Sequence, residues 1–310
     1  MSGDTYAAVL LAASKWLTDV GMLWVVGVCV FRVLAARPAE RDLPWDSLGL
    51  ERRLVRQLGA ALALLLIATA ARLYAQTYAS FGLDEPVTGE LLWLVANGTR
   101  WGGRWQVQTG AIAIVAGALA SLSLGPSARW RWVALGGATC AMVGVAPTTG
   151  HAFAFSGGVV LPMSLQIGHL LAAGIWLGTL LVLLSAGVRS TTTPATESGA
   201  AMSTLVDRFS PVAMTAAALL AGTGLGTAYL YVDEIPQLWG TTYGRALLLK
   251  TGLFGLTAAL GAYNWRRVRP RLAEPEGVAR LRRSGMAELL VAAVVLVVTA
   301  WLVHLPTPHE

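Results

Sequence analysis

The chain has 310 residues, of which 55% are hydrophobic and only 13% are charged. Soluble domains usually carry about 45–50% apolar and about 25% charged residues, so this composition excludes both an ordinary soluble protein and a disordered one. The two cysteines exclude a disulfide scaffold and a cysteine-cluster metal site. The net charge of +6 indicates arginines on cytoplasmic loops and not nucleic-acid binding.

Long apolar segments dominate the chain. A helix needs about twenty mostly apolar residues to cross a bilayer. About eight segments meet this criterion, which predicts an all-α polytopic membrane bundle: roughly 5–31, 54–80, 105–124, 130–148, 160–188, 209–232, 245–265 and 286–304. The apolar stretch around Trp93 is too short to span, and we expect it at an interface or packed on the bundle. The first apolar run carries Lys15 and Asp19 and lacks a positive start, so we expect it to be retained and not cleaved as a signal peptide.

The loop charges predict an orientation. Arginine is concentrated in the odd-numbered loops, and the seventh loop alone contains seven: Arg266, Arg267, Arg269, Arg271, Arg280, Arg282 and Arg283. The second loop contains Asp84, Glu85 and Glu90, and the fourth contains neither lysine nor arginine. The positive-inside rule therefore predicts cytoplasmic odd loops and both termini on the outer side.

The two halves of the chain, 1–150 and 151–310, resemble each other weakly. Ile67-Ala68-Thr69 in the second span resembles Ala221-Gly222-Thr223 in the sixth. Gly103-Arg104 near the start of the third span resembles Gly244-Arg245 near the start of the seventh. Parallel repeats of this kind occur in transporters, whose sites lie near the repeat interface. The alternative is a chance similarity between apolar helices.

Three histidines are candidates for metal handling, and the predicted topology places all three on the outer side. His151 lies in the fourth loop and His304 closes the last span. His169 lies nine residues into the fifth span, which is ~13 Å deep at 1.5 Å per residue. Ionisable groups inside a membrane are costly and usually functional, and imidazole binds copper, zinc and haem iron. The alternative for His169 is a structural histidine bonded to a neighbouring helix.

Two further residues extend this candidate site. Met163 precedes His169 by six residues, and its thioether suits Cu(I). The rise between them is ~9 Å, so the two are expected as successive stops on a path. Asp19 is an acid near the middle of the first span, where it either lines the path or holds Lys15 or Arg72 in place. The candidate metal-handling residues are therefore His169, His151, His304, Met163 and Asp19.

Other charged residues inside the spans are expected to be structural. Lys250 is expected to pair with Asp233 or Glu234, and Glu288 with arginines of the seventh loop. No phosphate loop, nucleophile elbow, Cys-x-x-Cys pair or dinucleotide fingerprint is present in the sequence. We therefore predict neither an ATP-driven pump nor an enzyme.

An ordered set of motifs carries a family resemblance. It consists of His169 with Trp176 and Gly178, Arg208-Phe209-Ser210 with Thr223-Gly224, Tyr243-Gly244-Arg245 with Lys250 and Asn264, and the Glu288 helix with Pro306. This set resembles the bacterial copper resistance protein D (CopD) family over roughly residues 160–305, and the eight-span layout extends the match over the chain. The resemblance implies copper transport across the cell inner membrane, by import from the periplasm, in copper homeostasis and resistance. It also implies a periplasmic copper-binding partner, CopC.

Two other functions stay open at this point. His169 and His304 are the intramembrane pair available to ligate a haem b, which would make the chain a membrane redox protein. A scaffold that assists copper resistance without transporting copper is the third possibility. In each case the expected surroundings include membrane lipid and no nucleic acid.

Overall fold

The computed structural model describes residues 3–35, 47–82, 85–124, 129–150, 158–187, 195–232, 234–274 and 276–305. Almost all of these residues are helical, and none of them belongs to a strand. Eight helices in this part of the chain are long and apolar enough to cross a membrane. The predicted all-α polytopic bundle is therefore confirmed. His151, Asp84 and Asp233 lie outside the described residues.

The helices are numbered along the chain. Their bounds are α1 Gly3–Ala35, α2 Ser47–Phe81, α3 Gly89–Gly98, α4 Arg100–Ser123, α5 Arg129–Val145, α6 Val160–Ala173, α7 Thr179–Val182, α8 Ala195–Tyr231, α9 Gln237–Gly240, α10 Thr242–Tyr263 and α11 Gly277–Leu302.

Three π-helical turns interrupt the α-helical geometry. The turn Gly174–Gly178 joins α6 to α7, the turn Leu183–Gly187 follows α7, and the turn Asn264–Val268 continues α10. As a result, α6 and α7 belong to one continuous fifth span, Val160–Ala186. Such turns insert one extra residue into a helix and are frequent at functional sites.

Helix α1 lies at the centre of the bundle. It packs against α2, α5, α6, α7, α8 and α11, so residues from both halves of the chain share one apolar core. At its crossing with the fifth span, a Cβ on Gly27 would lie 2.1 Å from the carbonyl carbon of Gly178. A Cβ on Gly178 would lie 1.9 Å from the carbonyl oxygen of Leu23. The two backbones touch here, and no side chain larger than hydrogen fits at either position.

The short apolar stretch around Trp93 forms the non-spanning helix α3, which packs on α2 and α4 as predicted. Trp93 itself is 68% exposed. The junction that follows uses Thr99, whose hydroxyl accepts a hydrogen bond from the Gly102 amide at 2.9 Å. Between α9 and α10, the Thr241 hydroxyl accepts one from the Gly244 amide at 2.9 Å. The two junctions therefore match at Gly102 and Gly244, and not at Gly103 as the sequence suggested. The division of the chain into two halves stays a prediction.

Helix α8 begins at Ala195, well before residue 209, where the sequence predicted its start. Its early turns bury Met202 and Leu205 in the core. Arg208 donates a hydrogen bond from Nη1 to the carbonyl oxygen of Leu34 at 3.1 Å. That carbonyl is in the last turn of α1, where helix carbonyls lack partners of their own. The polar extension of α8 is therefore stabilised by tertiary contacts that hydropathy does not reveal.

Candidate metal-handling site

His169 faces helix α8 through the partly buried hydrogen bond between its Nδ1 and the Thr223 hydroxyl, at 3.0 Å. A Cβ on Gly224 would lie 3.6 Å from Cε1 of the imidazole, and one on Gly168 would lie 3.5 Å from the Thr223 methyl group. These two glycines allow α6 and α8 to approach closely around the ring. The ring is therefore fixed by a side-chain hydroxyl of the neighbouring helix.

The hydroxyl of Thr223 determines which ring nitrogen of His169 carries the proton. That hydroxyl has one hydrogen, and it is donated to the carbonyl oxygens of Leu219 at 2.8 Å and Leu220 at 3.2 Å. With that hydrogen directed to these carbonyls, the hydroxyl accepts from Nδ1–H of His169, and we assign this tautomer to the ring. Nε2 then carries the lone pair, and it has no hydrogen-bond partner among the described residues. A ring held in one tautomer by a partner on its other nitrogen is the usual state of a metal-binding histidine.

His169 belongs to a layer of polar residues that lies inside the bundle, nearer to the end at which α1 begins. The members, which we call the polar layer, are Arg72, Gln108, His169, Thr223 and Lys250. Each lies eight or nine residues from that end of its helix, which is about 12–14 Å along the axis. Gln108, at 3% exposed, is a member that our sequence reasoning missed. The signal that would have found it is this common depth.

Asp19 is 2% exposed and forms the predicted ion pair with Lys15, one turn earlier on α1. It also interacts electrostatically with Arg72 and with Lys250. Lys250 in turn interacts electrostatically with His169. Asp19 therefore adds a negative charge to the polar layer. The expected pairing of Lys250 with Glu234 is not observed, and the charged neighbours found for it, Lys15 and Asp19, both lie on α1.

Arg72 holds the segment that leads to the fourth loop. Its Nη1 donates to Gln108 Oε1 at 3.2 Å, and its Nη2 donates to the Thr149 hydroxyl at 3.1 Å. Nη1 of Arg104 donates to the carbonyl oxygen of Thr148 at 3.4 Å. Thr149 lies two residues before His151 in the sequence. Two arginines thus fix the chain directly before that candidate residue.

The remaining candidates have other surroundings. Nδ1 of His304 donates to the carbonyl oxygen of Ala300 in its own helix at 2.7 Å. Met163 lies partly buried in the first turn of α6. Within the described ranges, no group of three or more histidine, cysteine, aspartate or glutamate side chains is arranged to hold a metal. The metal-handling roles of the five candidates stay predictions.

Glu288 has partners that the sequence did not indicate. Its carboxylate is 2% exposed and accepts hydrogen bonds from Nε1 of Trp176 at 2.9 Å and from Nδ2 of Asn264 at 2.7 Å. The expected pairing with arginines of the seventh loop is wrong, because the carboxylate is covered by these two neutral donors. Both donors lie in π-helical turns, which sequence periodicity does not reveal.

The fold and this site define a class: a multi-pass α-helical membrane protein with a histidine hydrogen-bonded to a neighbouring helix in a polar layer. Comparison with known families identifies it further. The family profile described as Copper resistance protein D-like, N-terminal domain, matches residues 5–161, and the profile described as Copper resistance protein D matches residues 203–302. The chain belongs to the copper resistance protein D family.

One curated relative shows a similarity over part of its length. The copper transport protein CutJ of Bacillus subtilis (strain 168) is 34% identical over 145 residues, which is 46% of this chain and 25% of that protein. The chain therefore matches about a quarter of the length of this relative. No solved structure matches the chain.

Proposed function

We propose that the protein transports copper across the bacterial inner membrane, from the periplasm to the cytoplasm, and that Nε2 of His169 is the principal ligand on the path. Family membership and the name of the relative support copper as the cargo. The observation that carries the assignment to His169 is its hydrogen bond to Thr223. This bond leaves the Nε2 lone pair free to bind a metal.

The path is expected to begin with soft or neutral ligands. Met163 lies about 1.7 helical turns before His169, near the start of the fifth span, and thioether ligands suit Cu(I). His151 and His304 are proposed as helpers at the same end of the bundle. A periplasmic copper-binding protein of the CopC type is the proposed donor of the ion.

The positive charge in the polar layer is expected to keep copper binding weak. Lys250 interacts electrostatically with His169, and Arg72 and Lys15 add positive charge that the single carboxylate of Asp19 only partly compensates. A transported ion must bind well enough to enter and weakly enough to leave. The cations in the polar layer and next to it thereby favour release over storage.

Transport by the purified protein in vesicles tests this proposal. Wild-type protein is expected to take up copper, and His169→Gln, which retains hydrogen bonding but is a poor copper ligand, is expected to lose uptake while folding normally. If His169→Gln transports copper and His169→Ala does not, the role of His169 is structural. A haem absorption band in the wild type that vanishes in His169→Gln would instead establish the redox function.

Reporter fusions test the orientation of the protein in the membrane, on which the proposed direction of copper transport depends. A reporter at position 275 is expected to behave as cytoplasmic, and one at the C-terminus as periplasmic, because arginine is concentrated in the odd loops. The reverse pattern would place His169 on the cytoplasmic side and contradict import through this residue.

A further inference from the structure

Glu288 is a deeply buried carboxylate on a membrane-spanning helix. Its two hydrogen-bond donors, Trp176 and Asn264, are both neutral. Within the described residues it forms no ion pair, whereas Asp19 pairs with Lys15 and Asp207 with Arg269. A carboxylate inside a membrane is expensive unless its charge is paired or it takes up a proton.

The helices around Glu288 do carry charged groups, and none of these is an ion-pair partner of its carboxylate. The charged residues whose side chains the structure describes, on α11 and on the elements packed against it, are Arg280, Arg282 and Arg283 on α11, Asp4, Lys15, Asp19 and Arg32 on α1, Asp207 and Arg208 on α8, Arg245 and Lys250 on α10, and Arg266, Arg267, Arg269 and Arg271 in the turns that follow α10. The π-turn Leu183–Gly187 and α7 contribute none. No described residue therefore neutralises the charge of Glu288, which leaves a mobile cation as its counter-ion.

The surroundings of Glu288 suit a proton. Trp176 Nε1–H and Asn264 Nδ2–H stabilise the ionised carboxylate. Oδ1 of Asn264 is buried, and no described residue donates to it. When a proton from water adds to a carboxylate oxygen, the new O–H needs an acceptor, and rotation of the Asn264 amide supplies Oδ1. A metal ion is disfavoured at this carboxylate because Oε1 already accepts a hydrogen bond from Trp176 and Oε2 accepts one from Asn264.

The geometry connects this carboxylate to the metal-handling histidine. Trp176 lies seven residues after His169 on the continuous fifth span, about 10 Å further along its axis. It lies in the π-turn Gly174–Gly178, and Asn264 begins the π-turn that continues α10. Gly261 permits the close approach, since a Cβ there would lie 3.2 Å from Glu288 Oε1 and 3.4 Å from Trp176 Cζ2. Movement of the fifth span would therefore change the hydrogen bonding of Glu288 directly.

We infer that Glu288 binds and releases a proton in each transport cycle, with Trp176 and Asn264 as positioning residues, and so couples copper movement to the proton gradient. This inference rests on the proposed transport of copper. The step is an acid–base reaction alone: the carboxylate gains a proton and becomes neutral, and it returns the proton to water on the other side. No electron is transferred.

Proton movement in vesicles tests the inference. With the full-length protein and a trapped pH dye, wild-type copper uptake is expected to move protons. Glu288→Gln mimics the protonated acid, so it should keep copper exchange at equilibrium while proton movement falls to the level of protein-free vesicles. Glu51→Gln is the matched control, because Glu51 accepts a tryptophan N–H from Trp132 at 3.3 Å, and it should behave like the wild type. Wild-type proton movement in Glu288→Gln, or copper uptake by the wild type without proton movement, would overturn the inference.

An infrared titration separates failure of this inference from failure of the proposed function. If the wild type moves no copper, the transport proposal fails, and the titration still reports on Glu288. Lowering the pH should produce a protonated-carboxyl band that is missing in Glu288→Gln. If that variant does not fold, Glu288→Asp should shift the band and so assign it. A wild-type protein without such a band contradicts proton binding by Glu288.

Discussion

Replacement of Thr223 by valine tests the tautomer argument at atomic level. Valine keeps the shape of threonine and removes the hydroxyl that accepts Nδ1–H of His169 at 3.0 Å. The imidazole is then free to move its proton to Nε2, which would block the lone pair. Loss of such a supporting hydrogen bond usually costs about 10- to 100-fold in metal affinity, or about 1.4–2.8 kcal/mol.

Competition with a colorimetric Cu(I) chelator measures this affinity on detergent-purified protein. Thr223→Ser restores the hydroxyl and should restore affinity. Thr215→Val is the matched control on α8, because the Thr215 hydroxyl is exposed and donates to its own helix at 3.0 Å, so its affinity should equal that of the wild type. Unchanged copper affinity in Thr223→Val would refute the assignment of Nε2 as the ligand atom.

Three further variants probe the bundle around the histidine. Asp19→Asn leaves the ammonium of Lys15 without its partner. The free energy of unfolding, measured by thermal unfolding, should fall by up to about 3 kcal/mol, and copper uptake should fall. Copper uptake at the wild-type level would limit Asp19 to a packing role. Gly178→Ala would force a Cβ to 1.9 Å from a carbonyl oxygen of α1 and should destabilise the protein by about 1–3 kcal/mol or more. Gly136→Ala, where a Cβ meets nothing within 4 Å, is its control, and equal melting temperatures would refute the tight crossing. Lys250→Gln removes a positive charge near the histidine and should tighten copper binding severalfold in the chelator assay; weaker binding would show that Lys250 supports the site.

Hydropathy and length predicted the architecture because each segment can be judged by itself: its own length and apolar residues decide whether it can cross the bilayer. All eight spans and the non-spanning helix around Trp93 follow from this rule. The start of α8 did not, because its polar first turns are stabilised by contacts with other helices, such as the bond from Arg208 to Leu34. The π-turns were also missed, since these spans are apolar on most sides, and a phase shift from one extra residue does not show in such a sequence.

Sequence reasoning found His169 but not what makes it suitable. An imidazole at membrane depth was a sound indication of function, and the local spacing of Lys15 and Asp19 predicted their ion pair. The role of Thr223 depends on a contact between two residues that lie 54 positions apart in the sequence and on different helices. For the same reason, the partners of Glu288 could not be inferred from nearby residues. Local spacing therefore predicts pairs within one helix, and the tertiary fold determines the others.

X-ray absorption at the copper edge tests the central claim most directly. Purified protein loaded with one equivalent of copper should show the multiple-scattering signature of imidazole, and His169→Gln should lose that signature along with most of the bound copper. His304→Gln should keep it, because His304 is proposed only as a helper. An identical copper spectrum and copper content in His169→Gln and the wild type would contradict the claim that His169 handles the ion.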